Sequence, residues 1–183
     1  MRLFHSFLSI LLTFVICIST LTGCQKSASQ PEKAKMTCPF SELTWESSYE
    51  DMINLEGKDF ESYDSVYKGT TYAYPKEYLN KKGTIKYMYD DKEALMCIAW
   101  VYSADKDANL KDLYNAISKD VVDTYGESGY NTDQQTNYGD VWYLDDGHII
   151  LSVMTTDTQK ALQYSYQSPN ASGEISSSDG TDQ

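Results

Sequence analysis

Few residues in this chain could carry chemistry: four Cys, two His and some adjacent carboxylates. His5 lies in an apolar N-terminal run, so a catalytic triad or a Cys-His pair could rest only on His148. His148 stands beside a turn with no Cys or second His at ligand spacing, and nothing near it forms a nucleophile elbow. Asp105-Lys106-Asp107-Ala108-Asn109 begins like a calcium loop. Leu110 then occupies the sixth position, where Gly makes the turn, and Ala116 the twelfth, where Glu should chelate. The same acids and Asn suit a helix N-terminus, facing its free N–H groups and its dipole. Asp90-Asp91 and Asp145-Asp146 offer paired carboxylates, but each pair reads more simply as a hairpin turn. The chain is therefore expected to have no catalytic, cofactor-binding or metal-binding residue and to be no enzyme.

The cysteines separate by position. Cys17 lies in the apolar run, and Cys24 ends it at Leu21-Thr22-Gly23-Cys24. Cys38 and Cys97 remain as a candidate disulfide, which would close a loop of roughly 60 residues and contribute about 4 kcal/mol. The alternative is a small core residue at Cys97, inside an apolar strand, with Cys38 unpaired.

Met1-Arg2 followed by apolar Leu3 to Leu21 has the anatomy of a cleaved secretory signal. Ser6, Ser9, Thr13, Ser19, Thr20 and Thr22 weaken it as a membrane span. Leu21-Thr22-Gly23-Cys24 resembles the lipobox of bacterial lipoproteins. The resemblance implies cleavage before Cys24 and a diacylglycerol, with acyl chains such as palmitate, on its thiol. It also implies an extracytoplasmic protein of the bacterial envelope. The protein would be anchored on the outer face of the cytoplasmic membrane, or in an outer membrane if one exists. Two or more acyl chains hold a protein stably where one is marginal.

On this division residues 1–23 are the signal peptide and 24–39 a lipidated tether. Residues 40–167 form a single domain, and 168–183 a Ser-, Gly- and Asp-rich disordered tail. The tether has no hydrophobic periodicity, and its ~15 residues could reach about 50 Å extended. After Arg2 no Arg occurs, and 14 Lys stand against 27 Asp and Glu, a net charge of −13. That excludes nucleic acid, which needs clustered cations. It also leaves the acyl chains as the membrane contact.

Within the domain, Ser48 and Asp51 form a capping box for a helix from Ser48 to Glu56, ended by Gly57. Strands are expected at Thr70–Tyr74 (stopped by Pro75), Thr84–Tyr89 and Ala94–Ser103, with a loop from Pro75 to Gly83. The Ala94–Ser103 strand is apolar on both faces and should be central. Leu110, Leu113, Tyr114, Ile117 and Val121 stripe a second helix over Asn109–Tyr125, with Gly126 after it. Glu127–Asn137 reads as a loop, followed by strands at Val141–Leu144, Ile149–Thr155 and Lys160–Gln167. The fold class is α+β, an antiparallel sheet with two helices on one face. Tyr87-Met88-Tyr89-Asp90-Asp91 is echoed by Trp142-Tyr143-Leu144-Asp145-Asp146, which raises the arrangement of two helix-plus-hairpin repeats.

The helix start Trp45-Glu46-Ser47-Ser48-Tyr49-Glu50-Asp51, the Tyr-rich strands and the helix end Thr124-Tyr125-Gly126-Glu127 resemble the beta-lactamase-inhibitor-protein-like group of small secreted proteins and lipoproteins. That resemblance implies two helix-plus-sheet repeats and action by binding other proteins. The chain has 16 Tyr, and Tyr suits binding surfaces and half-exposed sheets alike. Tyr72, Tyr74, Tyr87, Tyr89, Tyr164 and Tyr166 are the candidate binding face. The expected function is a lipid-anchored binding protein with a protein partner. A small solute- or glycan-binding or sensor lipoprotein is the alternative.

Overall fold

The computed structural model describes residues 36–134 and 137–171. The expected signal peptide, Cys24, most of the expected tether and residues 172–183 of the expected tail lie outside the described residues.

The first helix, α1, spans Tyr49–Glu56, and its capping box forms as the sequence indicates. The Ser48 hydroxyl accepts the Asp51 N–H, and the Asp51 carboxylate accepts the Ser48 N–H. The second helix, α2, spans Lys111–Tyr125 and starts later than its apolar stripe alone indicates. Asn109 Oδ1 accepts the Lys111 N–H at the start of the helix, while the N-cap residue itself, Leu110, makes no side-chain cap bond. Both helices end at a glycine, Gly57 at φ 95° and ψ −169° and Gly126 at φ 88° and ψ −170°. That region of backbone space is essentially open to glycine alone.

Eight strands follow the helices: β1 Glu61–Asp64, β2 Lys68–Tyr78, β3 Lys81–Asp90 and β4 Leu95–Asp105 after α1, then β5 Tyr130–Asp133, β6 Tyr138–Leu144, β7 Gly147–Thr155 and β8 Gln159–Gln167 after α2. They form one antiparallel sheet in the order β1-β2-β3-β4-β8-β7-β6-β5. The fold is α+β, and β4 lies at the centre, where its two apolar faces are both accommodated.

Three local expectations need correction. Pro75 does not stop β2, which continues to Tyr78. β1 ends opposite Ala73, so at Pro75 the strand has β3 on one side only, and the missing N–H can face the open side. The expected loop is instead a tight hairpin, with Tyr78 paired to Lys81 and both Leu79 (φ 48°) and Asn80 (φ 58°) left-handed. This is the turn that suits two-residue hairpins. Edge strand β5 arises within the expected Glu127–Asn137 loop, and edge strand β1 arises where no strand was expected.

The larger of two buried clusters lies on one side of the sheet, and the smaller one, with Tyr67, Cys97, Ala99 and Ala171, is separate from it. Ile85, Trp100, Tyr164, Leu151 and Asp140 sit side by side across β3, β4, β8, β7 and β6. Met52 of α1 and Tyr114, Ile117 and Val121 of α2 join the same buried cluster.

The packed region extends beyond 40–167 at both ends. Met36 N–H donates to Asp146 Oδ2 at 2.8 Å, and Thr37 N–H to the Tyr125 hydroxyl at 2.9 Å. Phe40 is buried edge-on against Tyr78, Tyr164 and Tyr166, so residues from Met36 on form a strap over the core rather than tether. At the other end, Ser168 N–H donates to the Met96 carbonyl and Ala171 is fully buried. Residues 168–171 are thus packed, not tail.

Candidate functional site

The six tyrosines chosen as a binding face do share a face, but it is the core face. Tyr74, Tyr87, Tyr89, Tyr164 and Tyr166 are buried, and the half-buried Tyr72 packs against Tyr49, Phe60 and Tyr89. They therefore cannot bind a partner. The physical reason is parity: alternate residues of a strand share a face, and these positions align with Ile85, Ile98 and Trp100. Their hydroxyls are used internally. Tyr74 donates to the Gly57 carbonyl at 3.0 Å, Tyr87 to Glu56 at 2.7 Å, and Tyr164 and Tyr166 share a bond of 2.6 Å. Burial first of all raises the ionisation of Tyr87, Tyr89, Tyr164 and Tyr166 far above the usual phenol range.

Cys38 and Cys97 are both free thiols. Cys38 lies in the strap against the core cluster. Cys97 belongs to a second cluster, with Tyr67, Met96, Ala99 and Ala171. The two thiols thus project to opposite sides of the sheet, which does not suit disulfide geometry. Burial pushes each up to about 12, so both stay protonated.

The opposite face of the sheet has a different character. One row crosses all eight strands: Glu61, Ala73, Lys86, Ala99, Ser165, Ile150, Val141 and Tyr130. On one side of it lie Thr84, Val101, Gln163, Ser152, Gly139 and Thr132. On the other lie Tyr63, Thr71, Met88, Cys97, Gln167, His148 and Tyr143. Across these rows only Glu61 and Lys86 are charged, in a chain where 23% of residues are. Thr71, Ala73, Cys97, Ala99 and Ser165 of these rows are buried, Cys97 and Ala99 in a cluster with Tyr67 and Ala171, whereas Tyr143 is 62% exposed, Tyr130 56% and Met154 52%. The Lys86 ammonium sits 5.7 Å from the Tyr63 ring centroid, a cation–π contact that ties the one central cation to an aromatic. Sequence reasoning missed this face because its aromatics are dispersed, with Tyr63 and Tyr130 on edge strands that the sequence did not indicate.

On the core side, Asp140 is a buried carboxylate within a closed set of donors. It accepts from Tyr114 at 2.6 Å, Asn131 at 2.8 Å, Ser128 at 3.1 Å and Ser118 at 3.3 Å. Burial alone would raise its ionisation, but the hydrogen bonds outweigh burial and hold it below the usual carboxylate value. With its donors supplied by α2, β5 and the connection between them, it reads as a structural knot. Among the described residues no three His, Cys, Asp or Glu side chains group to hold a metal. A cavity of about 330 Å³ lies under the strap, with Trp45, Ile98 and Tyr166 in its wall.

No protein-family model matches the chain, and no curated protein does. Among solved structures it is similar to a DUF4309 family protein (YjgB) from Bacillus subtilis, at 11% sequence identity and a TM-score of 0.37, over 67% of this chain and 79% of that one. A likeness of that degree carries no functional inference.

Proposed function

We propose that this is a non-enzymatic, lipid-anchored protein of the bacterial envelope that docks another protein on the sheet face away from its core. In this reading both helices cover one face, and the chain is two helix-plus-sheet repeats joined through β4 and β8. The matched glycine ends of α1 and α2 support the repeat. So does the donor that a strand supplies to each glycine carbonyl, Tyr74 to Gly57 and Trp142 to Gly126.

The observation that carries the proposal is the charge-poor second face with its exposed Tyr and Met. Protein interfaces are depleted of charge at their centre and enriched in Tyr and Met. The part of this face left open lies on β5, β6 and β7, around Tyr130, Val141, Tyr143, Ile150 and Met154, beyond the buried Ala99 and Ser165. The partner this face fits offers an uncharged, partly apolar surface. The resemblance of Leu21-Thr22-Gly23-Cys24 to a lipobox supports the anchor. Since Met36 already belongs to the folded region, the free tether on this reading is Gln25–Lys35, about 35 Å at full extension.

Two arms test the proposal. Cys24→Ala should accumulate as a precursor without label from a clickable palmitate analogue; normal maturation and labelling would refute the anchor. Crosslinking in whole cells should yield an adduct that Tyr143→Ala with Ile150→Ser abolishes. An unchanged adduct in that double variant would refute the docking face.

A further inference from the structure

The cavity beneath the strap is on the core side of the sheet, so it stands independently of the docking face. Its floor is Ile98 and Tyr166, and Met36, Leu43 and Trp45 close its sides. Trp45 is fixed in place, because its indole N–H donates to the Asp146 carbonyl at 2.9 Å. The strap is further held where Asp146 accepts the Met36 N–H and where Ser41 bonds Tyr87 at 2.9 Å. The wall is therefore preorganised.

The carboxyl-bearing residues Glu42, Glu46 and Asp146 line the cavity, and among the described residues no Lys, Arg or His does. The other titratable wall groups, Cys38 and Tyr166, are held neutral chiefly by burial. An indole face, aliphatic walls and carboxylates at the rim are the chemistry that recognises an organic cation with a small apolar body. The volume of about 330 Å³ lies at the small end of ligand sites. We infer that this cavity binds a small organic ammonium compound, with the cation between the Trp45 ring and the carboxylates of Glu42 and Glu46.

Choline is the probe, tested by equilibrium dialysis of radiolabelled choline against the full mature chain. The expected result is saturable uptake of one choline per chain, displaced by unlabelled choline but not by its uncharged carbon isostere. Glu42→Gln with Glu46→Gln should weaken it about fivefold, the scale of two exposed charge contacts. Both Glu are exposed, so a thermal melt of that variant should match the parent. Absence of saturable uptake, equal uptake by the double variant, or equal displacement by the isostere would overturn the inference. So would uptake that emerges only after Lys33→Gln and Lys35→Gln, which would make the chain's own ammonium groups the occupant.

Discussion

Trp142 donates its indole N–H to the Gly126 carbonyl at 2.9 Å, so a core-facing side chain of the sheet caps the end of α2. Tyr74 repeats the arrangement on α1 through Gly57. Gly126→Ala meets no steric obstacle, with nothing within 4 Å of the added methyl, but it forces an alanine into φ 88°. The expected cost is ~1–3 kcal/mol from backbone strain alone. Trp142→Phe should cost at least ~1 kcal/mol for the lost bond. Urea melts measure both, and a Gly126→Ala midpoint equal to the parent's would contradict the role given to this end.

Phe40 joins the strap to the core. It is 5% exposed and meets three tyrosines edge-on. Phe40→Ala should destabilise the domain by ~3–5 kcal/mol, as expected for emptying a buried aromatic site. A cost below ~1 kcal/mol would contradict the anchoring of the strap through Phe40. Denaturant unfolding measures the cost.

Asp140 predicts an acid dependence. Its folded ionisation lies below the usual carboxylate value because its donors outweigh burial. The stability it contributes is therefore present above the unfolded value of ~3.9 and is lost as pH falls through the folded one. Asp140→Asn should be less stable at neutral pH, because an amide cannot accept the same four hydrogen bonds. Its unfolding free energy should also fall less steeply on acidification than the parent's. Parallel pH profiles for the two proteins would contradict this.

The buried tyrosines predict the alkaline limit. Tyr87, Tyr89, Tyr114, Tyr164 and Tyr166 are raised in the folded state, mainly by burial. A raised folded value means their contribution is complete below the unfolded phenol value of ~10 and is lost as pH climbs above it. Circular dichroism should be lost together with a cooperative rise in phenolate absorbance. A gradual phenolate rise with the dichroism intact would show that these hydroxyls are open to solvent.

Much of the fold was legible because strong local signals agreed with packing. Ser48, Asp51 and Gly57 bound α1, and Leu113, Tyr114, Ile117 and Val121 stripe α2. The double-sided apolar pattern of Leu95–Val101 marked the sheet centre. What was illegible has physical causes. Edge strands Glu61–Asp64 and Tyr130–Asp133 are mostly polar and have no alternation to read. Pro75 is tolerated only because a neighbouring strand ends, which is not a local property. The tyrosines of the candidate face were grouped correctly, but period-two spacing does not reveal which face is covered. Tyr63, Tyr130 and Tyr143, exposed on the other face, come together only through pairings distant in sequence.

The central claim is that the second sheet face meets a partner. A photo-crosslinking amino acid placed at Tyr143 or Ile150, and as control at the exposed Asp123 of α2, tests it in living cells. The account predicts one discrete protein adduct from the two face positions and none from Asp123. Adducts equal at all three positions, or found only at Asp123, would contradict it.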